Sequence, residues 1–395
     1  MKKSFWPLFI AILAVSENLA AVMEGLDVSA RSVGMADAFS AVADDDSAIL
    51  HNPAGLIQMD NIAVSAQSAN FLNKLSNKSN AGGNSVGLVY PIRQGQSGVI
   101  GFLYQNFKAA TYFTDQTLYL SYAKKLSARA FGLPGQWSIG GNIKQFTRRY
   151  ESNQYTGNAI DDNGIGTGVP DPLFAKNGFS KTVYAADVGL LYQFGEKNRD
   201  SLGFLIANLN QPDISLENDG DRAPRMNRIG LARKYSWGLL SVECRKVNRI
   251  ANQSDSDVAF GGERKIPLRH VGSFCFRAGY AQGSRGLQNV YAGMSFGLPM
   301  LSLDYAFQFP IGNLTNAGEN SFVTLSFNFG VMKKKNDSSV QDHHVYEISR
   351  EYYLTRKAEG ASIQERLTML QALYLKYGSE NIDMVWLAHE FENLK

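Results

Sequence analysis

Between residues 61 and 330 the chain alternates apolar and polar positions in short runs separated by turn residues. Leu301, Leu303, Tyr305, Phe307 and Phe309 share one side of an extended strand, and Ser302, Asp304, Ala306 and Gln308 the other. The division recurs at Val323, Leu325, Phe327 and Phe329 against Thr324, Ser326 and Asn328. It recurs again at Tyr184, Ala186, Val188, Leu190, Tyr192 and Phe194 against Ala185, Asp187, Gly189 and Gln193. A period of two marks β-strands with unlike faces. Runs 97–107 and 201–209 alternate poorly and read as strands on composition only.

Fourteen candidate strands begin near Asn61, Gly83, Ser97, Asp115, Gly135, Phe179, Asp200, Arg225, Trp237, Ser256, Gly272, Leu287, Met300 and Ser321. An even number returns both ends of a closed barrel to the same side. Connections after even-numbered strands are short, at 93–96, 196–199, 234–236 and 298–299, with 127–134 and 264–271 as longer exceptions. Those after odd-numbered strands include 72–80, 150–180, 210–224 and 310–319, rich in Asn, Asp, Gly and Pro. Short turns on one side and long loops on the other characterise transmembrane barrels. A soluble sandwich explains the alternation but not the sidedness. Aromatic residues near the strand ends fit rings at a membrane interface. The pattern predicts an all-β transmembrane barrel of about 14 antiparallel strands over 61–330.

A mean hydropathy of −0.20 is compatible with such a barrel, because half of every strand faces a wet lumen. Lys2 and Lys3, the apolar run 5–15 and Asn18-Leu19-Ala20-Ala21 read as an export signal over residues 1–21. The run is shorter than the roughly 20 residues a spanning helix needs. The balance of 39 Lys and Arg against 36 Asp and Glu provides no polyanion-binding patch, which argues against a nucleic-acid partner. Cys244 and Cys275 leave two readings open, a disulfide in an oxidising compartment or two free thiols. Alternation puts them on opposite faces and favours the thiols.

Past residue 330 the composition changes. A charged linker over 331–340 precedes a helical tail over 341–395, in which Ser362-Ile363-Gln364-Glu365 forms a capping box. Ile363, Leu367, Leu370, Tyr374 and Tyr377 share one helical face, and Gly378 supplies a stop. Ile382, Val385, Trp386, His389 and Phe391 form a less regular second stripe.

Behind the signal lies a run of small residues, Ser29, Ala30, Ser32, Gly34 and Ala36. Ala38-Phe39-Ser40-Ala41-Val42-Ala43-Asp44-Asp45 and Asn52-Pro53-Ala54-Gly55-Leu56 follow it. In this order they resemble the N-terminal plug, or hatch, of FadL-like outer-membrane barrels. That group includes fatty-acid transporters and the PorV/PorQ branch associated with protein secretion. The resemblance implies a plug over 22–60, an outer-membrane location with the tail in the periplasm, and passage of small hydrophobic, fatty-acid-like compounds through a hatch-gated lumen. The tail departs from the transporters. It raises the PorV/PorQ-like alternative, a docking component whose tail binds a periplasmic or secretion-system protein.

Asn52, Pro53, Ala54 and Gly55 are the candidate gate, with a plain structural turn as the weightier reading. Pro53 fixes its own φ and biases Asn52 away from helix. Met35, Phe39, Val42, Leu50 and Leu56, with Ile49, either pack the plug's own core or line an apolar ligand pocket. Lys144 and Arg148, on one face of the fifth strand with Asn142 and opposite Trp137, Ile139 and Ile143, either meet a carboxylate headgroup or pair across the lumen. Asp44-Asp45-Asp46 lacks the glycine and distal Glu of a calcium loop and reads as a solvated or helix-capping turn. His51 and His270 are the only histidines outside the tail, and neither sits in a nucleophile motif, so no enzyme is expected. No metal site is expected at His343-His344, since adjacent helical residues point apart. No cofactor is implied.

Overall fold

The computed structural model describes residues 28–71, 81–109, 113–127, 132–151, 159, 165–169, 174, 178–216, 222–248, 254–268, 272–312, 318–330, 350–377 and 384–393. The expected export signal, the linker and His343-His344 lie outside them. Strands β1 (Ile62–Phe71), β2 (Ala81–Pro91), β3 (Val99–Ala109) and β4 (Phe113–Lys125) open the wall. They are followed by β5 (Gln136–Tyr150), β6 (Ser180–Phe194), β7 (Asp200–Ala207), β8 (Arg225–Lys234) and β9 (Leu239–Asn248). The wall ends with β10 (Ser254–Leu268), β11 (Gly272–Gly283), β12 (Gln288–Gly297), β13 (Leu301–Pro310) and β14 (Asn320–Phe329). Each pairs antiparallel with its sequence neighbour, and β1 meets β14 with Ile62 opposite Phe329, closing a barrel of 14 strands.

Both poorly alternating runs are strands, β3 and β7. Residues 264–268, expected in a connection, instead extend β10 to Leu268, with Arg264 opposite Phe276 and Leu268 opposite Gly272. The exposed Arg264 and Lys265 hid the strand from a hydropathy reading. Extended pairing continues beyond the apolar belt, where water replaces lipid and charge is tolerated. The rim at which β1 begins and β14 ends is the short-turn rim; the opposite one is the long-loop rim.

Apolar side chains such as Leu120, Ile143, Tyr184 and Leu303 stand exposed on the outer face, while Ser121, Asn142, Asp187 and Asp304 are buried inside. That inversion of a soluble protein is what lipid as solvent demands. Ladder pairing and closure satisfy the backbone in the absence of water. At the short-turn rim Trp137 stacks on Tyr192 with ring centroids 4.1 Å apart, and Tyr235 on Trp237 at 5.3 Å. These rings form part of an interfacial girdle.

Residues 332–395 form a separate compact unit. Residues 350–358 are helical, followed by helices Ile363–Tyr377 and Met384–Glu392. The capping box forms its N-cap half, with the Glu365 amide donating to Ser362 Oγ at 3.3 Å. Glu365 Oε1 accepts from Arg356 Nη2 at 2.7 Å. Tyr353, Leu370 and Leu373 make a small core against Met369, Trp386 and Phe391, whereas Ile363, expected on the buried face, is exposed.

Candidate functional site: the plug and its seat

The lumen holds residues 28–60, in which two short helices, Ala30–Gly34 and Ala48–His51, and a 3-10 helix, Pro53–Gln58, are joined by tight turns. No element is long enough to be stable alone. The wall stabilises what the local sequence cannot.

The plug touches the inner wall on every side. The Ala30 amide donates to Thr324 Oγ1 of β14 at 2.9 Å, and a Cβ added at Gly293 of β12 would lie 3.1 Å from Gly34 Cα. Phe39 and Ser40 reach β9, Ser201 Oγ of β7 donates to the Ala41 carbonyl at 2.7 Å, and Asn52 reaches β6. Between Ala41 and Asn52 the chain crosses the lumen, and Asp46 meets β1, accepting from Ser65 Oγ and from Gln67 Nε2. After the 3-10 helix the chain leaves the lumen into Ile62 at the short-turn rim.

Plug backbone meets wall backbone at many points because the wall carries inward glycines, several of them directly opposite each other. Gly140 faces Gly189, Gly203 faces Gly230, and Gly261 faces Gly279 across adjacent strands. A Cβ at Gly140 would fall 2.6 Å from the Pro53 carbonyl oxygen, one at Gly203 2.7 Å from the Ala41 nitrogen, and one at Gly279 2.7 Å from the Ala36 nitrogen. Any side chain there forces the plug or the strand to shift.

Asn52 is fully buried and extended, with φ −169°. Its Nδ2 donates to Ser40 O at 2.8 Å and to Leu190 O of β6 at 3.1 Å, while its Oδ1 accepts from the Ala54 amide at 3.2 Å. Asn52 therefore caps the 3-10 helix that Pro53 begins, and also ties two plug segments to the wall. A local turn was expected from sequence; the wall contact was not.

On the β8–β13 side the plug is held by charge. Glu243 accepts the amides of Phe39 at 3.0 Å and Ser40 at 2.7 Å, and Arg228 Nη1 at 3.2 Å. Arg228 Nη1 lies 2.7 Å from His51 Nδ1. A guanidinium only donates, so Nδ1 accepts and the buried ring is neutral. Arg31 bridges Asp44 at 2.7 Å, Asp45 at 2.8 Å and Glu263 of β10 at 2.9 Å, and Arg277 joins Glu263 to Asp304. The acidic triplet, expected as a solvated or helix-capping turn, is instead held by ion pairs and hydrogen bonds. Asp44 and Asp45 pair with Arg31, Asp45 Oδ1 also takes the Ser47 amide at 2.9 Å, and Asp46 is buried against β1.

The candidate apolar pocket divides into two packed clusters. Met35, Phe39 and Val42 are buried with Ala232 of β8 and Leu239 of β9. Ile49 and Leu56 pack on Val89, Val99 and Leu103 of β2 and β3, with Leu50 half-buried beside them. Burying side chains of this size stabilises the seated plug by about 1.5–3 kcal/mol each.

Lys144 and Arg148 face the lumen as expected, and each has a carboxylate. Lys144 Nζ lies 2.8 Å from Asp187 Oδ1, and Arg148 makes a two-pronged contact with Asp115 at 3.1 Å on both arms. Cys244 on β9 and Cys275 on β11 are free thiols, separated by β10.

The long-loop half of the lumen contains a feature that no run of the sequence announced. Phe322, Phe71, Phe107, Phe113, Tyr150, Phe174 and Phe179 form one chain of neighbouring rings. Successive centroids lie 5.6, 6.0, 6.4, 5.3, 5.9 and 4.6 Å apart. Its inner end packs with Val28, Ala30 and Val33 of the plug, and its outer end is Phe174 and Phe179, beyond β5 in the long connection. The only available signal was an aromatic on the inward side of each of several strands at the long-loop end.

No protein-family model and no curated protein matches the chain. Among solved structures, the CymD monoaromatic hydrocarbon channel aligns over 78% of this chain and 98% of its own, with a TM-score of 0.52 and 13% identity. A Pseudomonas aeruginosa FadL homologue covers 80% of this chain and 100% of its own, with a TM-score of 0.48 and 13% identity. The Pseudomonas putida toluene transporter TodX covers 72% and 93%, with a TM-score of 0.45 and 11% identity. The likeness to CymD is one of fold, a closed barrel of the kind the resemblance at residues 29–56 implies.

Proposed function

We propose that this protein is an outer-membrane channel that passes small hydrophobic compounds inward through a plugged lumen, with the long-loop rim outside and residues 341–395 in the periplasm. The observation that carries the reading is the chain of rings from Phe179 to Phe322. A wet pore needs polar walls, whereas this path is aromatic from the loops to the top of the plug. Its outer rings, Phe113, Tyr150, Phe174 and Phe179, are half-buried and offer an apolar solute a surface of the sort ligand sites use, while Phe107, Phe71 and Phe322 are buried against the plug. CymD, described as a monoaromatic hydrocarbon channel, supports the reading by fold.

The plug is the gate in this reading. Onward passage requires the Asn52 latch and the Glu243 anchor to yield, because the lumen below the rings is filled by the plug. Lys144 and Arg148, each neutralised by a carboxylate, serve the wall rather than a ligand headgroup. The docking alternative rests on the helical tail alone.

The test is uptake of a radiolabelled aromatic hydrocarbon and of a radiolabelled fatty acid by bacteria lacking their own hydrocarbon channels. Expression should raise uptake several-fold, and Phe107→Asp, which puts charge in the middle of the path, should abolish the gain while leaving the amount of folded barrel unchanged. Uptake no higher than in the empty host, with folded protein in the membrane, overturns the proposal.

A further inference from the structure

The outer face of β1–β5 changes character sharply three residues from the long-loop end of β2 and β3. Strand register brings Ser68, Asn84, Asn106, Gln116 and Thr147 side by side in one polar row. The next row toward the short-turn rim begins Ala66, Val86, Tyr104 and Leu118, where the lipid belt starts. The next row toward the loops holds Gly82, Lys108, Thr114 and Arg149. Gly82 leaves a gap beside Lys108. Here Asn84, Ser85, Val86, Tyr104, Asn106, Lys108 and Gln116 line a hollow of about 370 Å³.

The lining is chemically one-sided. Gln116 Nε2 donates to Asn106 Oδ1 at 3.3 Å, which leaves the Asn106 amide nitrogen as an outward donor beside Asn84. Lys108 is exposed, forms no ion pair among the described residues, and shares the hollow with no carboxylate. Below these donors lie only Val86 and Tyr104, a surface for acyl chain. An ammonium and two amides above an apolar floor, at the height where headgroups sit, match a phosphate carried on a lipid. We propose that this hollow holds the phosphorylated headgroup of a glycolipid in the surrounding leaflet. With the long-loop rim outside, as proposed above, this is the outer leaflet. The site lies on the lipid-facing surface and is separate from the aromatic path.

The test is native mass spectrometry of the full-length protein released from detergent after incubation with bisphosphorylated lipid A, dephosphorylated lipid A, phosphatidylglycerol or inorganic phosphate. Bisphosphorylated lipid A should be retained one per protein. Retention should weaken at least tenfold in Lys108→Glu and in Asn84→Ala/Asn106→Ala, but not in Lys246→Glu on the outer face of β9. Heat-modifiable gel mobility checks that each variant is folded. Equal retention of dephosphorylated lipid A or of phosphatidylglycerol overturns the proposal, as does displacement of the lipid by inorganic phosphate, or variants that bind like the parent. Lipid retention failing in a protein with intact hydrocarbon uptake overturns this site and leaves the proposed function standing. The reverse result overturns the function alone.

Discussion

Arg228 on β8 and Glu243 on β9 form an ion pair at 3.2 Å inside the barrel, with side chains only 1% and 2% exposed. Each also holds the plug, Arg228 through His51 and Glu243 through the amides of Phe39 and Ser40. Removing one member of a buried pair costs about 3–5 kcal/mol, because the other charge is left unpaired. Glu243→Ala should therefore unseat the plug between Met35 and Val42. In limited proteolysis followed by mass spectrometry, plug cleavage should appear in the variant while the barrel keeps its heat-modifiable mobility.

Gly140 and Gly189 allow the Asn52–Ala54 backbone to lie on the wall. Gly140→Val forces either the plug or the strand to move, at about 1–3 kcal/mol for overpacking. Gly141 is the control. It faces the other way, and a Cβ there meets only the Asp187 carbonyl at 3.2 Å. In planar bilayers Gly140→Val should open frequently, and Gly141→Ala should remain as quiet as the parent.

Replacing Asn52 with Ala deletes the donors to Ser40 O and Leu190 O and the acceptor for the Ala54 amide. Leaving buried groups unsatisfied costs about 1–3 kcal/mol. That is small for a 14-strand barrel but large for a short plug. Amide hydrogen exchange should rise over residues 48–58 with no change in the strands. Unchanged protection there would mean that the glycine seat alone retains the segment.

The tail provides a pH test. Burial pushes the Glu390 carboxyl up, but hydrogen bonds from Lys357 at 2.7 Å and Tyr353 at 2.9 Å outweigh it and leave it below the ordinary range. A carboxylate lowered by folding stabilises the folded form above its unfolded value, about 4.3, and that contribution is lost as pH falls through the lower folded value. A fluorine label on Trp386, which packs on Tyr353, should keep one resonance from pH 8 to 5 and change only in more acidic solution. Glu390→Gln should remove that transition.

The wall was legible because lipid on one side and water on the other impose a two-residue period. Even β3 and β7, which alternate poorly, were caught by composition. The seat was not legible. Alternation places Gly140 and Gly189 on the inner face, but only register shows them opposite each other, and only the plug's path shows what they admit. Arg228, Glu243 and His51 are likewise distant in sequence, and an inward charge reads the same whether it meets water, a ligand or a plug. Asn52 and Pro53 stood out because a local turn uses a local motif. The rings from Phe71 to Phe179 are each ordinary strand residues until the barrel closes.

The plug bonds through Ala30 to Thr324 of β14 and through Asp46 to Ser65 of β1, the two strands whose pairing closes the cylinder. Those strands are the most distant neighbours in the wall, so their meeting carries the largest loop-closure entropy. A segment bonded to both is a strap across the join. During assembly such a strap raises the effective concentration of one edge for the other, so the residues that fill the finished lumen also help to build its wall.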